Sequence, residues 1–244
     1  MSERVSPAEE GEELSTVCIL AGGLGSRLGS QVRDTPKPLL PVAGKPFLLH
    51  QLRLLSSFGA SKAVVCVGYL GERIEATIGD EQFGIRLVYS YDSPGLDGTL
   101  GAIRRAAPLL GRRFLVLYGD TYLRLDYRDF HRRWRESSQP GAMTVLLNDG
   151  RWDRSNVLYQ KERVLKYDKV SPTPEMRWID YGLGGLTSEV LAVVPAGERD
   201  LSVLYSALAV QGKLYGFEAK ERFYEIGTPT AFSETEQFLW SLGE

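Results

Sequence analysis

Residues 20–46 read LAGGLGSRLGSQVRDTPKPLLPVAGKP, a glycine-rich loop followed by a lysine between two prolines. The residues just before it, 16–20, form a β-branched and apolar run that is typical of a buried strand. Gly22, Gly23 and Gly25 follow at once, and residues without a Cβ atom let backbone amides approach a phosphate group closely. The pattern predicts a strand whose carboxyl end meets a bound anion.

Two familiar phosphate-binding loops do not fit this stretch. A dinucleotide fingerprint that began at Gly23 would need a third glycine where the chain has Leu28. A Walker A loop needs Gly-Lys followed by Ser or Thr, and neither Gly-Lys pair, at 44–45 and 212–213, is followed by either residue. For three glycines alone, a plain turn between strand and helix remains an alternative.

Two cations in the same loop favour a binding role. Arg27 offers a planar fork for phosphate oxygens, and Lys37 offers a compact positive charge. Pro36 and Pro38 stiffen the chain on either side of Lys37, which would hold its amine in place. Both cations could point back at the carboxyl end of the strand.

The whole stretch closely resembles the amino-terminal motif of the sugar-1-phosphate nucleotidyltransferases, L-A-G-G-x-G-x-R-L followed by P-K-P-L-L-P-V-x-G-K-P. The resemblance runs from Val17 to about Leu242 and is weaker at 139–140 and 171–177. Within this family, the sequence most resembles the compact heptose- and mannose-1-phosphate guanylyltransferases. It implies one domain over residues 16–244 with a Rossmann-like, GT-A-like α/β fold, preceded by a disordered acidic tail over residues 1–15.

The order of the apolar runs supports this fold independently. Strands predicted at 16–20, 62–68, 85–91 and 114–118 alternate with helices predicted at 46–58, 71–78 and 100–110. This alternation favours a mixed sheet whose strands are mostly parallel and whose two faces are both covered by helices. Such a sheet binds its ligand at the carboxyl ends of the strands. In the second half the apolar runs are more interrupted, and they predict strands near 143–147, 157–159, 215–219 and 223–226. Thr228 and Pro229 then open a C-terminal helix.

The resemblance assigns the nucleotide site. Arg27 would stabilise the departing pyrophosphate, and Lys37 would lie between the α-phosphate and the sugar phosphate. Asp97 replaces a glycine that the family usually has in the segment that helps to hold the base. Asp97 or Thr99 could instead cap the helix that follows. The nucleotide-binding residues implied are Leu20, Ala21, Gly22, Gly23, Gly25, Gly98 and Thr99.

The resemblance also assigns a metal site and a sugar site. Asp120, directly after a strand and a glycine, would bind Mg²⁺, with Mn²⁺ as a possible substitute. Its partner would be Glu225, which stands where the family usually has Asp; both side chains supply the hard oxygen ligands that Mg²⁺ requires. Lys169 would contact the sugar phosphate, Gly182 would lie against the sugar ring, and Asp180 could accept hydrogen bonds from sugar hydroxyls.

Composition excludes several other classes of protein. Lys and Arg total 29 against 31 Asp and Glu, a net charge of −2 that offers no general field for nucleic acid. The two cysteines, Cys18 and Cys66, lie in apolar runs and are expected to be buried, inert thiols. No apolar run approaches the ~20 residues that a membrane span needs, and the first residues lack a secretory signal. We therefore expect a cytoplasmic protein, with homo-oligomerisation left open.

The predicted reaction transfers a nucleoside monophosphate from a nucleoside triphosphate to a sugar 1-phosphate and releases pyrophosphate. The attacking phosphate oxygen is already an anion, so positioning and charge neutralisation would suffice without a strong base. One alternative is a regulatory subunit that senses the nucleotide, which the changes at Asp97 and Glu225 permit. A second is a glycosyltransferase, but it would need a D-x-D pair that residues 120–122 do not supply.

Overall fold

The computed structural model describes residues 14–23, 35–93 and 97–243. Over these ranges the chain forms one ten-stranded sheet, two small two-stranded sheets and a set of α-helices. The strands are β1 (Val17–Leu20), β2 (Pro41–Val42), β3 (Lys45–Pro46), β4 (Lys62–Val67), β5 (Glu81–Gln82), β6 (Ile85–Tyr91), β7 (Arg113–Tyr118), β8 (Thr121–Leu123), β9 (Gly141–Leu147), β10 (Val157–Gln160), β11 (Arg163–Tyr167), β12 (Trp178–Thr187), β13 (Leu214–Ala219) and β14 (Phe223–Glu225). The α-helices are α1 (Phe47–Ser57), α2 (Gly71–Ile78), α3 (Gly98–Leu110), α4 (Tyr127–Ser137), α5 (Leu201–Val210) and α6 (Pro229–Ser241).

The large sheet has the order β10-β11-β13-β9-β12-β7-β1-β4-β6-β5. Its pairs β7–β1, β1–β4 and β4–β6 are parallel, which confirms the prediction for the first half of the chain. β12 runs antiparallel to both β7 and β9 and makes the sheet mixed. The carboxyl ends of β7, β1, β4 and β6 therefore meet at one edge of the sheet.

Helices cover both faces of this sheet, as predicted. The core on one face contains side chains of α1, α2 and α4, and the core on the other contains those of α3 and α5. β1 contributes side chains to both cores, because successive side chains of a strand point to opposite faces. Val17 and Ile19 belong to the first core, and Cys18 belongs to the second.

Several elements of the second half are absent from the sequence predictions, among them α4, β11, β12 and α5. Residues 127–137 look like a charged stretch, yet they form α4, which buries Tyr127, Phe130 and Trp134 on one side. The glycines of β12 weaken its strand pattern, but one of them makes room for that helix. A Cβ atom on Gly185 would lie 2.6 Å from the ring of Trp134.

The packed domain begins two residues earlier than predicted. Leu14 is buried in the core, and the Ser15 hydroxyl lies 2.8 Å from Nε2 of His131, so these residues do not belong to a tail. The rest of the predicted tail, residues 1–13, lies outside the described residues. Cys18 and Cys66 are free and buried, as predicted. No helix in the described part of the chain is both long enough and apolar enough to span a membrane.

Candidate active site

A cleft of about 400 Å³ opens at the carboxyl edge of β1, β4 and β7. It brings together most of the residues that the sequence assigned to the nucleotide, the reaction and the metal. Two assigned residues, Gly25 and Arg27, lie outside the described part of the chain. The assigned residues that line the cleft are Leu20, Ala21, Gly22, Gly23, Lys37, Gly98, Thr99 and Asp120.

Glycines let the backbone close up at this edge. A Cβ atom on Gly119 would lie 2.7 Å from the carbonyl oxygen of Leu20, a distance that real Cβ atoms do not show. On Gly22 a Cβ atom would lie 3.0 Å from a carboxylate oxygen of Asp92. The ends of β1 and β7 thus approach each other, and their backbone is exposed to the cleft rather than covered by side chains.

Lys37 and Asp120 form an ion pair in the cleft. The Nζ atom of Lys37 donates to Oδ2 of Asp120 at 2.9 Å, with side-chain exposures of 11% and 32%. Lys37 begins a short 3₁₀ helix, Lys37–Leu39, which follows Pro36 and contains the buried Pro38. The prolines and this tight turn fix the backbone from which the amine extends. The predicted catalytic amine and the predicted metal-binding carboxylate are therefore neighbours.

The turn that carries Asp120 is held from several sides. The N–H of Gly119 donates to the carbonyl of Leu20 at 3.0 Å, and the N–H of Ile226 donates to the carbonyl of Asp120 at 3.0 Å. From α1, the amide of Gln51 donates to the carbonyls just before and just after Gly119-Asp120. Sequence reasoning missed Gln51, since its chemistry shows only through its partners.

Glu225 lies on the strand beside Asp120, but it is not among the residues that line the cleft. β14 pairs antiparallel with β8 and places Glu225 opposite Thr121. The Thr235 hydroxyl donates to the Glu225 carbonyl at 2.6 Å and so ties this strand to α6. In the described ranges, no cluster of three or more His, Cys, Asp or Glu side chains could hold a metal ion.

The donor chemistry nevertheless fits a magnesium ion. Mg²⁺ in phosphate-transfer sites is commonly bound by one or two carboxylates, with substrate phosphates and water as the other ligands. Asp120 already binds a cation, the ammonium of Lys37, on the cleft side. A site of this kind therefore needs no larger cluster of protein ligands.

Gly98 and Thr99 are anchored to the segment before α5. Gly98 has a φ of +69°, and a Cβ atom there would lie 2.7 Å from the carbonyl oxygen of Arg199. The Thr99 hydroxyl accepts from the N–H of Leu201 at 2.9 Å, so it supports α5 and not α3. Of the two residues offered as alternative caps of α3, neither makes a capping hydrogen bond through its side chain. Asp97 occupies the N-cap position of α3, but its carboxylate pairs with Arg105 at 2.5 Å.

Asp92 is a site residue that sequence reasoning missed. It follows β6 at the same edge of the sheet, and its carboxylate lines the cleft beside Gly22. Burial, and after it the nearby charge of Asp97, raises the pKa of the Asp92 carboxyl above its usual value. Its position directly after a strand of the parallel sheet is the signal that could have identified it.

The predicted sugar residues form one cluster next to the cleft. Asp180 accepts from the Tyr167 hydroxyl at 2.9 Å and from the N–H of Gly182 at 3.1 Å. The Nζ atom of Lys169 lies 3.9 Å from the Asp180 carboxylate and 5.4 Å from the ring centre of Tyr118, which lines the cleft. Burial and the charge of Asp180 raise the pKa of Tyr167, so its hydroxyl stays a donor. The Asp180 side chain is only 7% exposed, and its carboxylate therefore stabilises this cluster by binding the other members.

The chain is similar to known nucleotidyltransferases. The family model described as nucleotidyl transferase matches residues 16–154. The chain is 29% identical to the D-glycero-alpha-D-manno-heptose 1-phosphate guanylyltransferase of Aneurinibacillus thermoaerophilus over 91% of its own length and 96% of that protein. It is 28% identical to the mannose-1-phosphate guanylyltransferase catalytic subunit beta of Drosophila pseudoobscura pseudoobscura over 88% of its length, and it spans 59% of that longer protein.

A solved structure supports the same relationship. HddC from Yersinia pseudotuberculosis, in complex with GMP-PN, superposes with a TM-score of 0.74 at 25% sequence identity. The match covers 93% of this chain and 100% of that one. The predicted fold, a mixed α/β sheet with helices on both faces, is confirmed.

Proposed function

Because the chain belongs to the nucleotidyl transferase family, we propose that it joins a nucleoside triphosphate to a sugar 1-phosphate and releases pyrophosphate. The observation that carries the proposal is the Lys37–Asp120 pair, 2.9 Å apart, at the carboxyl edge of the parallel strands. A phosphate oxygen of the sugar 1-phosphate attacks the α-phosphorus in line and forms a new P–O bond. The bond from the α-phosphorus to the bridging oxygen breaks, and both electrons leave with pyrophosphate.

The protein's task is to bring two anions together. Two unit charges ~4 Å apart repel by about 4 kcal/mol at an effective dielectric constant near 20. Lys37 lies in the cleft and can offset part of that repulsion by exchanging Asp120 for substrate phosphate. The backbone of Gly22 and Gly23 is open for contact with the triphosphate. When bound, Mg²⁺ or Mn²⁺ would neutralise further phosphate charge, held by Asp120 and Glu225.

Guanine is the base that the cleft suits best. The Asp92 carboxylate lines the cleft beside Gly22, where it can accept hydrogen bonds. Guanine presents two adjacent donors, N1–H and the 2-amino group, which match the two oxygens of a carboxylate. The names of the two relatives point the same way, since both are guanylyltransferases.

A heptose- or mannose-type 1-phosphate is the proposed acceptor. Lys169 provides a positive charge beside Tyr118 at the wall of the cleft. Gly182, next to the cleft, has a left-handed φ of +108°, which favours glycine, so no side chain covers the backbone there. Both features suit a phosphorylated sugar ring, and the relatives' names supply the sugar types.

The second candidate function is a regulatory subunit that binds the nucleotide without turning it over. It is favoured by Glu225, which is absent from the lining of the cleft. Such a protein would keep the base and triphosphate contacts but would lack part of the metal site.

A matrix of nucleoside triphosphates against sugar 1-phosphates, followed by pyrophosphate release, tests the proposal. We expect release that needs both substrates and is highest with GTP and a heptose or mannose 1-phosphate. Tight binding of GTP without release from any pair would overturn the enzyme and favour the regulatory subunit. Absence of both binding and release would overturn both candidates.

A further inference from the structure

Helix α1 presents one buried amide, that of Gln51, to the turn that carries Asp120. Gln51 is 2% exposed. Its Nε2 atom donates to the carbonyl of Tyr118 at 2.9 Å and to the carbonyl of Thr121 at 2.7 Å. These carbonyls stand on either side of Gly119-Asp120, so one side chain spans the turn. An amide nitrogen carries two hydrogens, and both are used here.

The other atom of the same amide indicates why a glutamine is needed. Its Oε1 atom is buried and finds no hydrogen-bond partner in the described part of the chain. A buried polar atom without a partner is unfavourable, and a methionine of similar length would fill the space without that cost. Packing alone therefore does not account for Gln51, whereas its two donated hydrogen bonds do.

The remaining restraints on the turn act from different directions. The bond from Gly119 ties it to the end of β1, and the bond from Ile226 ties it to the end of β14. Gln51 anchors it to α1, which packs in the core beneath the sheet. The same helix begins where the hairpin after Lys37 ends, since the N–H of Phe47 donates to the carbonyl of Leu40 at 3.0 Å. One helix thus contacts the backbone on both sides of the Lys37–Asp120 pair.

We propose that Gln51 is a positioning residue for the transfer reaction. By holding the carbonyls of Tyr118 and Thr121, it fixes the carboxylate of Asp120 where Lys37 and a divalent cation can reach it. Without the two donors, both carbonyls lose a partner and the turn shifts to find others. A shift of about 1 Å at such a site can cost roughly a hundredfold in rate. The catalytic part of this inference rests on the proposed function.

Two variants separate the donors from the bulk of the side chain. Gln51→Met keeps the length and removes both donors, while Gln51→Asn keeps the donors and shortens their reach by one methylene. His131→Leu is the matched control, because it removes a buried hydrogen bond to Ser15 at the opposite end of β1. For each protein we would measure the turnover number, both KM values and the Mg²⁺ concentration that gives half-maximal rate. Mn²⁺ binding in the presence of GTP alone, followed by the EPR signal of free Mn²⁺, reports on the site without turnover.

We expect Gln51→Met to lower turnover by about ten- to a hundredfold and to weaken Mn²⁺ binding by on the order of tenfold, with both KM values little changed. The turnover and Mn²⁺ affinity of Gln51→Asn should lie between those of the parent and those of Gln51→Met. If the Met variant does not fold, Gln51→Asn alone tests the inference. His131→Leu should lose thermal stability but keep turnover and Mn²⁺ affinity.

Parent-like Mn²⁺ affinity and turnover in the Gln51 variants would overturn the inference, as would an equal loss in His131→Leu. If the parent released no pyrophosphate, the proposed function would fail. The Mn²⁺ titration with GTP would still decide whether Gln51 positions Asp120, and parent protein that bound no Mn²⁺ would count against it.

Discussion

The amine of Lys37 is bound to the carboxylate of Asp120 at 2.9 Å, although the two residues are 83 positions apart in the chain. In the proposed reaction this amine binds substrate phosphates, and it is already held in the cleft by a charge of the same sign as theirs. Phosphate binding would exchange one anionic partner for another and would not have to recruit a lysine from solvent. Such preorganisation keeps the cost of ordering the side chain out of the reaction step.

Lys37→Met should lower turnover by on the order of a hundredfold or more, as expected when a charge-stabilising group is removed. Thermal stability should change little, because the Asp120 side chain left behind is 32% exposed and can be hydrated. Lys62→Met is the control, since Lys62 bonds the Leu109 carbonyl at the other end of the sheet. Near-normal pyrophosphate release by Lys37→Met would remove Lys37 from the site.

The metal prediction concerns Asp120 and Glu225. Activity should vanish with a chelator while the fold survives, and Asp120→Asn should raise the Mg²⁺ requirement. Glu225→Gln should lose nearly all activity, and Glu225→Asp most of it, because Mg²⁺ tolerates little change in ligand geometry. Mn²⁺ should partly rescue the Asp variant. Rates are compared with those of Glu221→Gln, a nearby exposed carboxylate, and parent-like rates in Glu225→Gln would exclude Glu225 as a ligand.

Asp92 should set the choice of base. Asp92→Asn keeps the shape but replaces one acceptor oxygen by a donor, so it should lower kcat/KM for GTP relative to the other triphosphates. A well-placed pair of hydrogen bonds to a base is worth ~1–3 kcal/mol of discrimination, so we expect a change of roughly five- to a hundredfold. Competition assays between triphosphates give the ratio, with Asp80→Asn as the control. An unchanged ratio would place the base elsewhere.

Lys169 should affect the sugar substrate alone. Lys169→Met should raise KM for the sugar 1-phosphate by about tenfold, in line with the loss of a hydrogen bond to a charged group. KM for the triphosphate should stay within a factor of about two. Lys166→Met removes an exposed lysine of β11 and should change neither value. If Lys169→Met raised KM for the triphosphate instead, the two substrate sites would have to be exchanged.

His131 should make the fold sensitive to acid. Burial, and then the charge of Arg113, lowers the pKa of His131 in the folded protein. Below its unfolded pKa of about 6.5, the unfolded chain binds a proton that the folded chain does not. Stability is therefore fully present above that pH and falls as the pH drops through it. Melting temperatures between pH 5.5 and 7.5 should show the fall in the parent and a flatter profile in His131→Leu.

The first half of the fold was predictable because its strands are continuous apolar runs that glycine or aspartate ends. The site residues were predicted from the family resemblance, which motifs close together in the sequence carry, such as Lys37 between two prolines and Asp120 directly after a strand and a glycine. The second half was not predictable in the same way. Arginines fill the outer face of α4 and make its sequence look like a charged stretch. β12 contains glycines whose purpose appears only where Trp134 packs on Gly185.

Gln51 and Asp92 were not predicted as site residues, for a different reason. A glutamine in a helix is ordinary in sequence, and an aspartate after a strand indicates a place at the carboxyl edge of the sheet but not the groups that it contacts there. Their meaning lies in partners that are distant along the chain: the carbonyls of Tyr118 and Thr121 for Gln51, and the wall formed with Gly22 for Asp92. Local patterns cannot report contacts of this kind.

The pairing of β14 with β8 has a consequence for biosynthesis. Asp120 leaves the ribosome long before Glu225, which must then return to lie beside it. At ~5–20 residues per second, the growing chain carries Asp120 without Glu225 for roughly 5–20 s. If Glu225 binds the metal as proposed, a nascent chain that already displays Lys37 would therefore be unable to consume nucleotide until β14 had emerged and paired with β8.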